Sequence, residues 1–258
     1  MGVVNVTPDS FSDGGRFFEA SAAISHARRL VEEGADILDL GAESSRPGAQ
    51  PVSAEEELRR LLPVLRELKG VPVPISVDTT KPEVMRATID AGAAMINDIG
   101  ALRSPGALET VAASDAGVCL MHMQGEPRTM QYEPRYGDVV AEVAAFLAER
   151  VAAAESAGIA RERIAVDPGF GFGKTVAHNF ELLRHLDRFT ALGVPVVAGW
   201  SHKSTLGAIT GRGAEDRLAA SLAAALLAVE RGARIVRVHD VAATRDVLHV
   251  LAALEGRT

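Results

Sequence analysis

The sequence predicts an α/β protein that folds as a single (β/α)8 TIM barrel, with its active site at the C-terminal ends of the strands. Two observations support this class. Short apolar runs alternate with helical stretches along the chain, and the length of 258 residues is typical of one such barrel. No linker or shift in composition divides the sequence. We therefore expect residues 1–258 to form one domain.

Eight apolar runs have the length and composition of strands that are buried in a parallel sheet. They are Val3–Thr7, Ile37–Ala42, Ile75–Thr79, Met95–Ile99, Val118–Met123, Ile164–Asp167, Val194–Gly199 and Ile235–His239. Helical stretches follow them near residues 19–33, 53–69, 82–91, 105–114, 138–157, 176–189, 204–231 and 241–254. Eight such units favour a closed barrel, although an open sheet of about six strands remains an alternative.

Several residues mark where the predicted helices begin and end. Ser53 followed by Glu56 predicts a capping box, and Pro82 and Pro105 suit the first turn of a helix. Glycines placed directly after helical stretches predict left-handed C-caps at Gly34, Gly92, Gly158 and Gly232.

Composition and charge exclude several classes of protein. The apolar fraction of 47% and the charged fraction of 24% are typical of a globular protein, and no apolar run is long enough to span a bilayer. The net charge of -7 argues against a nucleic-acid-binding surface. The single cysteine, Cys119, excludes an internal disulfide and a cysteine-based zinc site, and suits the cytosol. Any bound anion must therefore be held by a local cluster of donors.

Polar side chains occupy the predicted C-terminal ends of the strands. They are Asn5, Thr7, Glu43, Asp78, Asn97, His122, Asp167, Ser201, Arg237 and His239. In a barrel these ends meet on one rim, so we expect the side chains to converge on one cavity. Helix capping is the alternative explanation for any one of them. It explains the whole set less well, because it would have to recur in all eight units.

Two segments are similar to known catalytic loops but fail on spacing. Asp167–Lys174 has Pro168 at the position where a P-loop needs its first glycine. Gly199–Lys203 lacks the second glycine of a nucleophile elbow. Neither phosphate binding by a P-loop nor serine hydrolysis is therefore favoured.

A cluster of cationic donors suits a doubly charged leaving group. Arg237 and His239 are two residues apart on one predicted strand, so we expect both to face the same side. Arg46, beside Pro47 and Gly48, presents a donor fork suited to phosphate. A solvated surface arginine is the alternative interpretation of Arg46.

Other side chains suit a flat heterocycle and a carboxylate. Asp78, Asn97 and Asp167 come from three predicted strands and offer acceptors and an amide, as a pterin or purine requires. Residues 201–204 lie at the start of a predicted helix, where N–H groups favour an anion, and Lys203 adds a positive charge. The histidines show no metal-ligand spacing, but Mg²⁺ held loosely beside a diphosphate is compatible.

These motifs, in this order, resemble those of the dihydropteroate synthase family of bacterial folate synthesis. The match runs through Asn5–Gly15, Glu43–Gly48, Ser76–Thr79, Asn97–Ile99, Met121–Met123, Asp167–Lys174, Ser201–Ser204 and Arg237–Asp240. The resemblance implies a cytoplasmic (β/α)8 homodimer that uses Mg²⁺ and joins hydroxymethyl-dihydropterin diphosphate to p-aminobenzoate. The products would be 7,8-dihydropteroate and pyrophosphate.

The resemblance also implies roles for individual residues. The pterin would be held by Asp78, Asn97, Met121, Asp167 and Lys203. The diphosphate would be held by Asn5, Ser45, Arg46, Arg237 and His239, with Asn5 near the metal. The p-aminobenzoate would be enclosed by Phe11, Pro47, Phe172 and Ser204. Catalysis would depend on Asp78, Asp167, Lys203, Arg237 and His239.

Two features depart from the family pattern. His202 stands where the family usually has arginine, so we expect altered affinity or pH dependence in the p-aminobenzoate region. The family also normally has a short segment before the first strand, so we expect Met1 to be an internal or trimmed start. Two rival functions remain open: a catalytically silent relative that binds pterins or a partner, and a barrel that transfers a methyl group to a corrinoid protein. The second leaves Arg46, Arg237 and His239 without a shared purpose.

Overall fold

The computed structural model describes residues 1–6, 16–43, 51–127 and 129–256. Within these ranges the chain forms a sheet of eight parallel strands, which are hydrogen-bonded in their order along the chain. Helices connect successive strands. The prediction of an α/β fold with eight parallel strands is therefore confirmed.

The strands are short. They are β1 (Gly2–Asn5), β2 (Leu38–Gly41), β3 (Ile75–Asp78), β4 (Met95–Asp98), β5 (Gly117–Met121), β6 (Ile164–Asp167), β7 (Val196–Ala198) and β8 (Ala233–Val236). The helices are α1 (Arg16–Glu32), α2 (Ala54–Glu67), α3 (Pro82–Asp90), α4 (Ala107–Ala112), α5 (Val139–Ser156), α6 (Val176–Arg184), α7 (Asp187–Thr190), α8 (Ser204–Thr210), α9 (Leu218–Glu230) and α10 (Val241–Leu254). None of the described helices is long and apolar enough to cross a membrane.

The chain that follows β8 returns to β1. Gly2 forms an isolated parallel bridge with Val238. The Val3 N–H donates to the Val238 carbonyl at 2.9 Å, and the Val238 N–H donates to the Met1 carbonyl at 3.0 Å. Main-chain hydrogen bonds thus link the residues beside the first and last strands.

Successive residues of a strand point to opposite faces of the sheet. One alternating set belongs to the large buried cluster that the helices complete, and it includes Leu38, Leu40, Ile75, Val77, Ile96, Ile164, Val166, Val196, Ala198 and Val236. The other set forms a separate apolar cluster of Cys119, Ala165 and Val197, with Met95 and Ile235 packed against it. By the same alternation, the inward set also contains Asp39, Asp78, Asn97, Asp167 and Arg237. The sheet therefore turns these polar side chains away from the helices.

Two long predicted helices are each divided in the structure. The stretch 204–231 breaks into α8 and α9, because Gly211 takes a left-handed φ of 70° and a 3-10 turn follows at Ala214–Asp216. The stretch 176–189 breaks at His185, which caps α6 before α7 begins. The prediction of continuous helices over these ranges was wrong, since short caps override the apolar periodicity.

The predicted helix starts are confirmed in part. Pro82 begins α3, as expected. Ser53 accepts a hydrogen bond from the Glu56 N–H, but the Glu56 carboxylate pairs with Arg59 and Arg60 instead of completing a capping box. The placement of Pro105 in a first turn was wrong, because α4 begins later, at Ala107.

The observed bounds of the strands differ from the predicted bounds more at β8 than elsewhere. The four predicted C-cap glycines all have positive φ, at 93° for Gly34, 106° for Gly92, 97° for Gly158 and 98° for Gly232. Strand β8 ends at Val236, so Arg237 and His239 follow the strand, whereas we expected both to lie on it. The Arg237 side chain contacts two carboxylates, whereas the His239 side chain contacts Ser201.

Candidate active site

The Arg237 guanidinium joins the carboxylates of two neighbouring strands, β2 and β3. Its Nε atom donates to Asp39 Oδ2 at 2.6 Å, and its Nη2 atom donates to Asp78 Oδ2 at 3.0 Å. The Asn97 Nδ2 atom donates to the same Asp39 oxygen at 3.2 Å. Asp39 is completely buried, and its other oxygen, Oδ1, has no partner among the described residues. Three strands and the segment that follows β8 thus contribute to one polar cluster.

Burial and neighbouring charge set the protonation of this cluster. Burial raises the pKa of Asp78, Arg237 opposes this shift, and the nearby Asp39 and Asp98 carboxylates add to it. The pKa of Arg237 is raised, because the Asp39 and Asp78 carboxylates outweigh its burial. Arg237 therefore stays charged, while Asp78 is a carboxyl group whose charge a bound ligand can change.

Asp167, at the end of β6, begins a loop rich in glycine. Its Oδ1 atom accepts a hydrogen bond from the Gly169 N–H at 2.7 Å. Burial raises the pKa of Asp167, and the Gly169 N–H, Lys203 and Lys174 act in the opposite direction. Gly169 has a φ of 72°, and a Cβ there would lie 1.9 Å from the His122 carbonyl oxygen. Only glycine fits this approach between the loop and the end of β5.

Lys203 lies over the ring of Phe172, with 4.2 Å between its Nζ atom and the ring centroid. Its pKa is lowered to about 8 by burial and by the Arg237 charge, which the Asp167 and Asp78 carboxylates partly offset. Phe172 is buried in a cluster with Ile99, Met121, Met123 and Met130. Apolar, polarisable side chains thus lie beside the Lys203 cation, which is itself near the Asp167 and Asp78 carboxylates.

A second buried lysine, Lys174, forms hydrogen bonds with the glycine-rich loop and with His122. The Lys174 Nζ atom donates to the Phe172 carbonyl at 2.9 Å and lies 3.0 Å from His122 Nδ1. The pKa of Lys174 is lowered to about 7 and that of His122 to about 3, in both cases first by burial. The sequence reasoning noted His122 as a polar strand end and tested Lys174 only as part of a P-loop, so it missed this pair.

The same loop is tied to the start of α8. Asn179 Oδ1 accepts from the Gly171 N–H at 2.8 Å, and Asn179 Nδ2 donates to Thr205 Oγ1 at 3.0 Å. Ser204, the first residue of α8, is exposed, and its helix has Lys203 as N-cap with no capping side chain. A cavity of about 260 Å³ lies between the loop and α8, and Gly171, Lys174 and Ser204 are among its lining residues.

His239 and His202 occupy the loops that follow β8 and β7. His239 pairs through Nδ1 with Ser201 Oγ at 2.9 Å, and burial together with the Arg237 charge lowers its pKa to about 4. The His202 ring contacts the Asp240 carboxylate at 2.7 Å and the Ala214 carbonyl at 2.9 Å. The side chain of His202 is therefore engaged by neighbouring loops.

An ionic cluster flanks the segment 44–50. The Lys81 Nζ atom donates to Glu57 Oε2 at 2.6 Å and also to a Glu43 oxygen. The other Glu43 oxygen accepts from the Val52 N–H at 3.3 Å. Glu57 is completely buried, so Lys81 neutralises a carboxylate that has no access to water. Residues on both sides of 44–50 are thus fixed to one another.

The structure brings together several predicted site residues near the carboxyl ends of the strands. They are Asp78, Asn97, Met121, Asp167, Phe172, Lys203 and Arg237. Arg237 lies among the acceptors, whereas we expected it in a cluster of cationic donors with Arg46 and His239. Phe11, Ser45, Arg46 and Pro47 lie outside the described residues. Asp39 was not among the predicted site residues. The signal in the sequence was an acidic residue in the middle of an apolar strand.

Asn5, the residue expected near a metal, ends β1 and is exposed. In the described ranges there is no cluster of three or more His, Cys, Asp or Glu side chains that could hold a metal ion. Among the described residues, one amide oxygen is offered to a divalent cation at this position, beside water and oxygens of a bound ligand. That donor set fits Mg²⁺, which keeps several waters and needs few protein ligands.

Residues 1–239 match the family model described as "Pterin binding enzyme". The chain is 50% identical over 254 residues to the dihydropteroate synthase of Escherichia coli K12, with 98% of this chain and 90% of the relative covered. It superimposes on a Xanthomonas albilineans dihydropteroate synthase with 4-aminobenzoic acid with a TM-score of 0.93 and 57% identity, over 98% of this chain and 92% of that one.

A second solved structure, a Xanthomonas albilineans dihydropteroate synthase in complex with 7,8-dihydropteroate, gives a TM-score of 0.88. It is 52% identical and covers 98% of this chain and 91% of that chain. Similarity at this level over nearly the full length of both chains fixes the family as well as the fold. The chain therefore belongs to the pterin binding enzymes and, within them, to the dihydropteroate synthase family.

Proposed function

We propose that this enzyme is a transferase that condenses 6-hydroxymethyl-7,8-dihydropterin diphosphate with p-aminobenzoate and forms 7,8-dihydropteroate and pyrophosphate. The observation that carries the proposal is the inward cluster of Asp78, Asn97, Asp167, Lys203 and Arg237, contributed by separate strand units. It offers acceptors and donors on one face of the sheet, as the edges of a pterin require. Relatives whose structures contain 4-aminobenzoic acid and 7,8-dihydropteroate support the same reaction.

The pterin edge would meet the carboxylates and the amide. Asp78 and Asp167 accept from the ring N–H groups, Asn97 pairs with a donor–acceptor edge, and Lys203 donates to a ring acceptor. Met121, in the apolar cluster with Phe172, packs against a ring face. Burial raises the pKa of both carboxyl groups and so disfavours their charged forms. Hydrogen bonds that a bound heterocycle donates to them would stabilise the charged forms.

The chemistry we propose is a dissociative displacement. The carbon that bears the diphosphate is attached to a conjugated ring, so its C–O bond can break before the amine attacks. The enzyme must then stabilise a departing diphosphate and a delocalised cation, and it needs no strong base. Arg237 and His239 would contact the diphosphate together with Asn5, Ser45 and Arg46. Arg237 already gives two N–H groups to carboxylates, and a guanidinium has five donors.

The aniline nitrogen of p-aminobenzoate is already nucleophilic near neutral pH, so its positioning matters more than its activation. Ser204 would receive the carboxylate, and Phe172 would enclose the ring together with Phe11 and Pro47. The exposure of Ser204 at the edge of a cavity supports this placement. Once the C–O bond to diphosphate has broken, attack by the amine forms the C–N bond, and the nitrogen loses a proton to solvent.

Mg²⁺ would neutralise charge on the leaving diphosphate, and Asn5 would hold it with water and diphosphate oxygens. The residues of the chain do the remaining work. Arg237 and His239 bind the diphosphate, while Lys203 and the carboxylates hold the heterocycle in place.

We also propose the finer features of the architecture. The bridge between Gly2 and Val238 supports a closed (β/α)8 barrel, and the single apolar cluster that unites the helices with the sheet supports one domain over 1–258. Exposed apolar side chains on α8, α9 and α10, such as Ile209, Leu227 and Val250, support burial against a second copy in a homodimer. The single cysteine supports a cytoplasmic location.

The test is to incubate the purified protein with the pterin diphosphate, Mg²⁺ and p-aminobenzoate and to measure pyrophosphate and dihydropteroate together. We expect equal amounts of both products and a near-complete loss with Lys203→Ala. Pterin binding without pyrophosphate from the correctly folded protein would contradict the proposal and favour a silent pterin-binding relative. Sedimentation velocity on the same sample tests the homodimer.

A further inference from the structure

His202 adopts a backbone conformation that is uncommon for a residue with a side chain. Its φ is 56°, in the left-handed region, which only a few per cent of residues other than glycine adopt. The residue immediately precedes Lys203, the N-cap of α8, and Ser204, its first residue. The conformation of His202 therefore sets the direction in which both side chains leave the chain.

Hydrogen bonds to residues at the start of α9 hold this turn in place. The His202 N–H donates to Ser221 Oγ at 3.0 Å, and the His202 carbonyl accepts from Arg217 Nη1 at 3.0 Å. These bonds connect the turn to residues at the start of α9. The backbone of His202 is thus fixed on both sides of its Cα atom.

Both ring nitrogens of His202 face acceptors. Nδ1 lies 2.9 Å from the Ala214 carbonyl oxygen, and Nε2 lies 2.7 Å from Asp240 Oδ2. A neutral imidazole carries one N–H donor, whereas the imidazolium carries two. A carbonyl and a carboxylate accept but do not donate, so only the charged ring satisfies both contacts.

Charged and titratable groups face this ring from each element packed around it. Asp240 precedes α10, Glu215 belongs to the 3-10 turn, Arg217 precedes α9, and the His239 ring lies edge-on at 5.5 Å. Lys203 is the next residue in the chain. Burial disfavours the charged ring, but the Ala214 carbonyl and the Asp240 carboxylate outweigh it, so the pKa of His202 is raised above 6.5.

We propose that protonated His202 is a positioning residue, which joins the loops after β7 and β8 and so directs Ser204 toward p-aminobenzoate. This inference rests on the proposed function, since it assigns a role in binding the second substrate. Unlike a guanidinium, an imidazolium loses its charge when the pH rises through its pKa. Binding of p-aminobenzoate in this enzyme is therefore sensitive to pH through a residue that does not itself contact the substrate.

The sign of the pH effect follows from the two contacts. Below the pKa of His202 both N–H groups are donated and the turn is held. As the pH rises through that pKa, one nitrogen lone pair faces an oxygen, one contact breaks, and the KM for p-aminobenzoate rises while kcat changes little. Lys203, with a pKa of about 8, titrates in the same direction. The transition that moves when Asp240 is replaced belongs to His202.

The experiment combines histidine NMR titration with kinetics on the intact enzyme at saturating pterin diphosphate. The signal of His202 is identified by its loss in His202→Asn, since asparagine tolerates a positive φ. We expect its pKa above 6.5 in the unsubstituted enzyme and a lower value in Asp240→Asn, which keeps an acceptor but removes the carboxylate. We expect the KM transition for p-aminobenzoate to move to lower pH in the same variant. A signal that titrates at or below 6.5 overturns the proposal.

Two further variants separate positioning from general damage. His202→Arg carries a permanent charge, so its KM should stay near the low-pH value as the pH rises. His249→Asn makes the same chemical change as His202→Asn at an exposed position of α10 and should leave KM unchanged. We expect His202→Asn to raise KM by roughly three- to fivefold at pH 6, the range that a partly exposed ion pair supports. Equal KM values in the two asparagine variants overturn the proposal. If the unsubstituted enzyme releases no pyrophosphate at any pH, that result contradicts the proposed function instead.

Discussion

The Lys174 Nζ atom lies 3.0 Å from the Nδ1 atom of His122, so two basic side chains share a hydrogen bond in the interior of the protein. Lys174 is 3% exposed and His122 is 7% exposed. Two positive charges at this distance, away from water, would repel strongly. The pair avoids this because His122 stays neutral and accepts, while Lys174 donates to it and to the Phe172 carbonyl. The glycine-rich loop is therefore anchored by a lysine that loses its proton more readily than an ordinary one.

This pair makes stability depend on pH, and Lys174→Met tests the effect. The folded protein holds the Lys174 proton with a pKa of about 7, whereas the unfolded chain holds it with the ordinary value of 10.5. Between these values the unfolded state binds more protons, so stability rises with pH by up to about 1.4 kcal/mol per unit from this residue. Urea unfolding from pH 7 to 9 should show a shallower rise for Lys174→Met.

Lys69→Met is the matched control for that prediction, because Lys69 is exposed just after α2. Its unfolding free energy should follow the unsubstituted protein at every pH. If Lys174→Met shows the same slope as the unsubstituted protein, Lys174 is not the residue that couples folding to pH.

Asp39→Asn should weaken binding of the pterin diphosphate without preventing folding. The amide keeps the size of the side chain but removes the charge that fixes Arg237, while Asp78 still pairs with the guanidinium. We expect a loss of about 1–3 kcal/mol in unfolding free energy and a weaker Kd for the pterin diphosphate, measured by calorimetry. Asp36→Asn breaks an exposed pair with Arg245 and should cost under about 1 kcal/mol. Similar losses in both variants would show that Asp39 has no special role.

Lys81→Met should destabilise the protein far more than an ordinary lysine substitution. It leaves Glu57, which is completely buried, without its cation. Removing one partner of a buried pair costs about 3–5 kcal/mol. The double variant Lys81→Met/Glu57→Gln should recover part of the loss, because the glutamine carries no charge. Urea unfolding measures both, and a double variant less stable than Lys81→Met would contradict the role assigned to Lys81.

Gly169→Ala should abolish activity and reduce stability. The new methyl group would lie 1.9 Å from the His122 carbonyl oxygen, so the loop that starts at Asp167 must move. Gly158→Ala is the control, since Gly158 also has a positive φ, 97°, but nothing lies within 4 Å of the added atom. The control measures the cost of φ alone, about 1 kcal/mol, and retains activity. Equal effects of the two substitutions would exclude the proposed contact.

Much of this fold can be predicted from sequence because the alternation of apolar runs and helices extends along the whole chain. Polar residues at the strand ends also identify the site, since parallel strands present those ends on one face. Asp39 escaped prediction because it lies in mid-strand, where only pairing with a distant residue explains a buried carboxylate. The division of α8 from α9 escaped because a left-handed Gly211 outweighs a favourable helical composition. The roles assigned to individual site residues stay predictions, and Phe11, Ser45, Arg46 and Pro47 also lie outside the described residues.

The alternation of side chains along the strands has a consequence for how the protein tolerates mutation. Leu38 and Leu40 pack with the helices, while Asp39 between them reaches the polar cluster. A library of substitutions scanned along β2 should therefore switch phenotype at each step. Changes at 38 and 40 should lower the yield of folded enzyme, whereas the change at 39 should lower turnover per folded molecule. The two selective pressures on the sequence, for folding and for chemistry, fall on neighbouring codons.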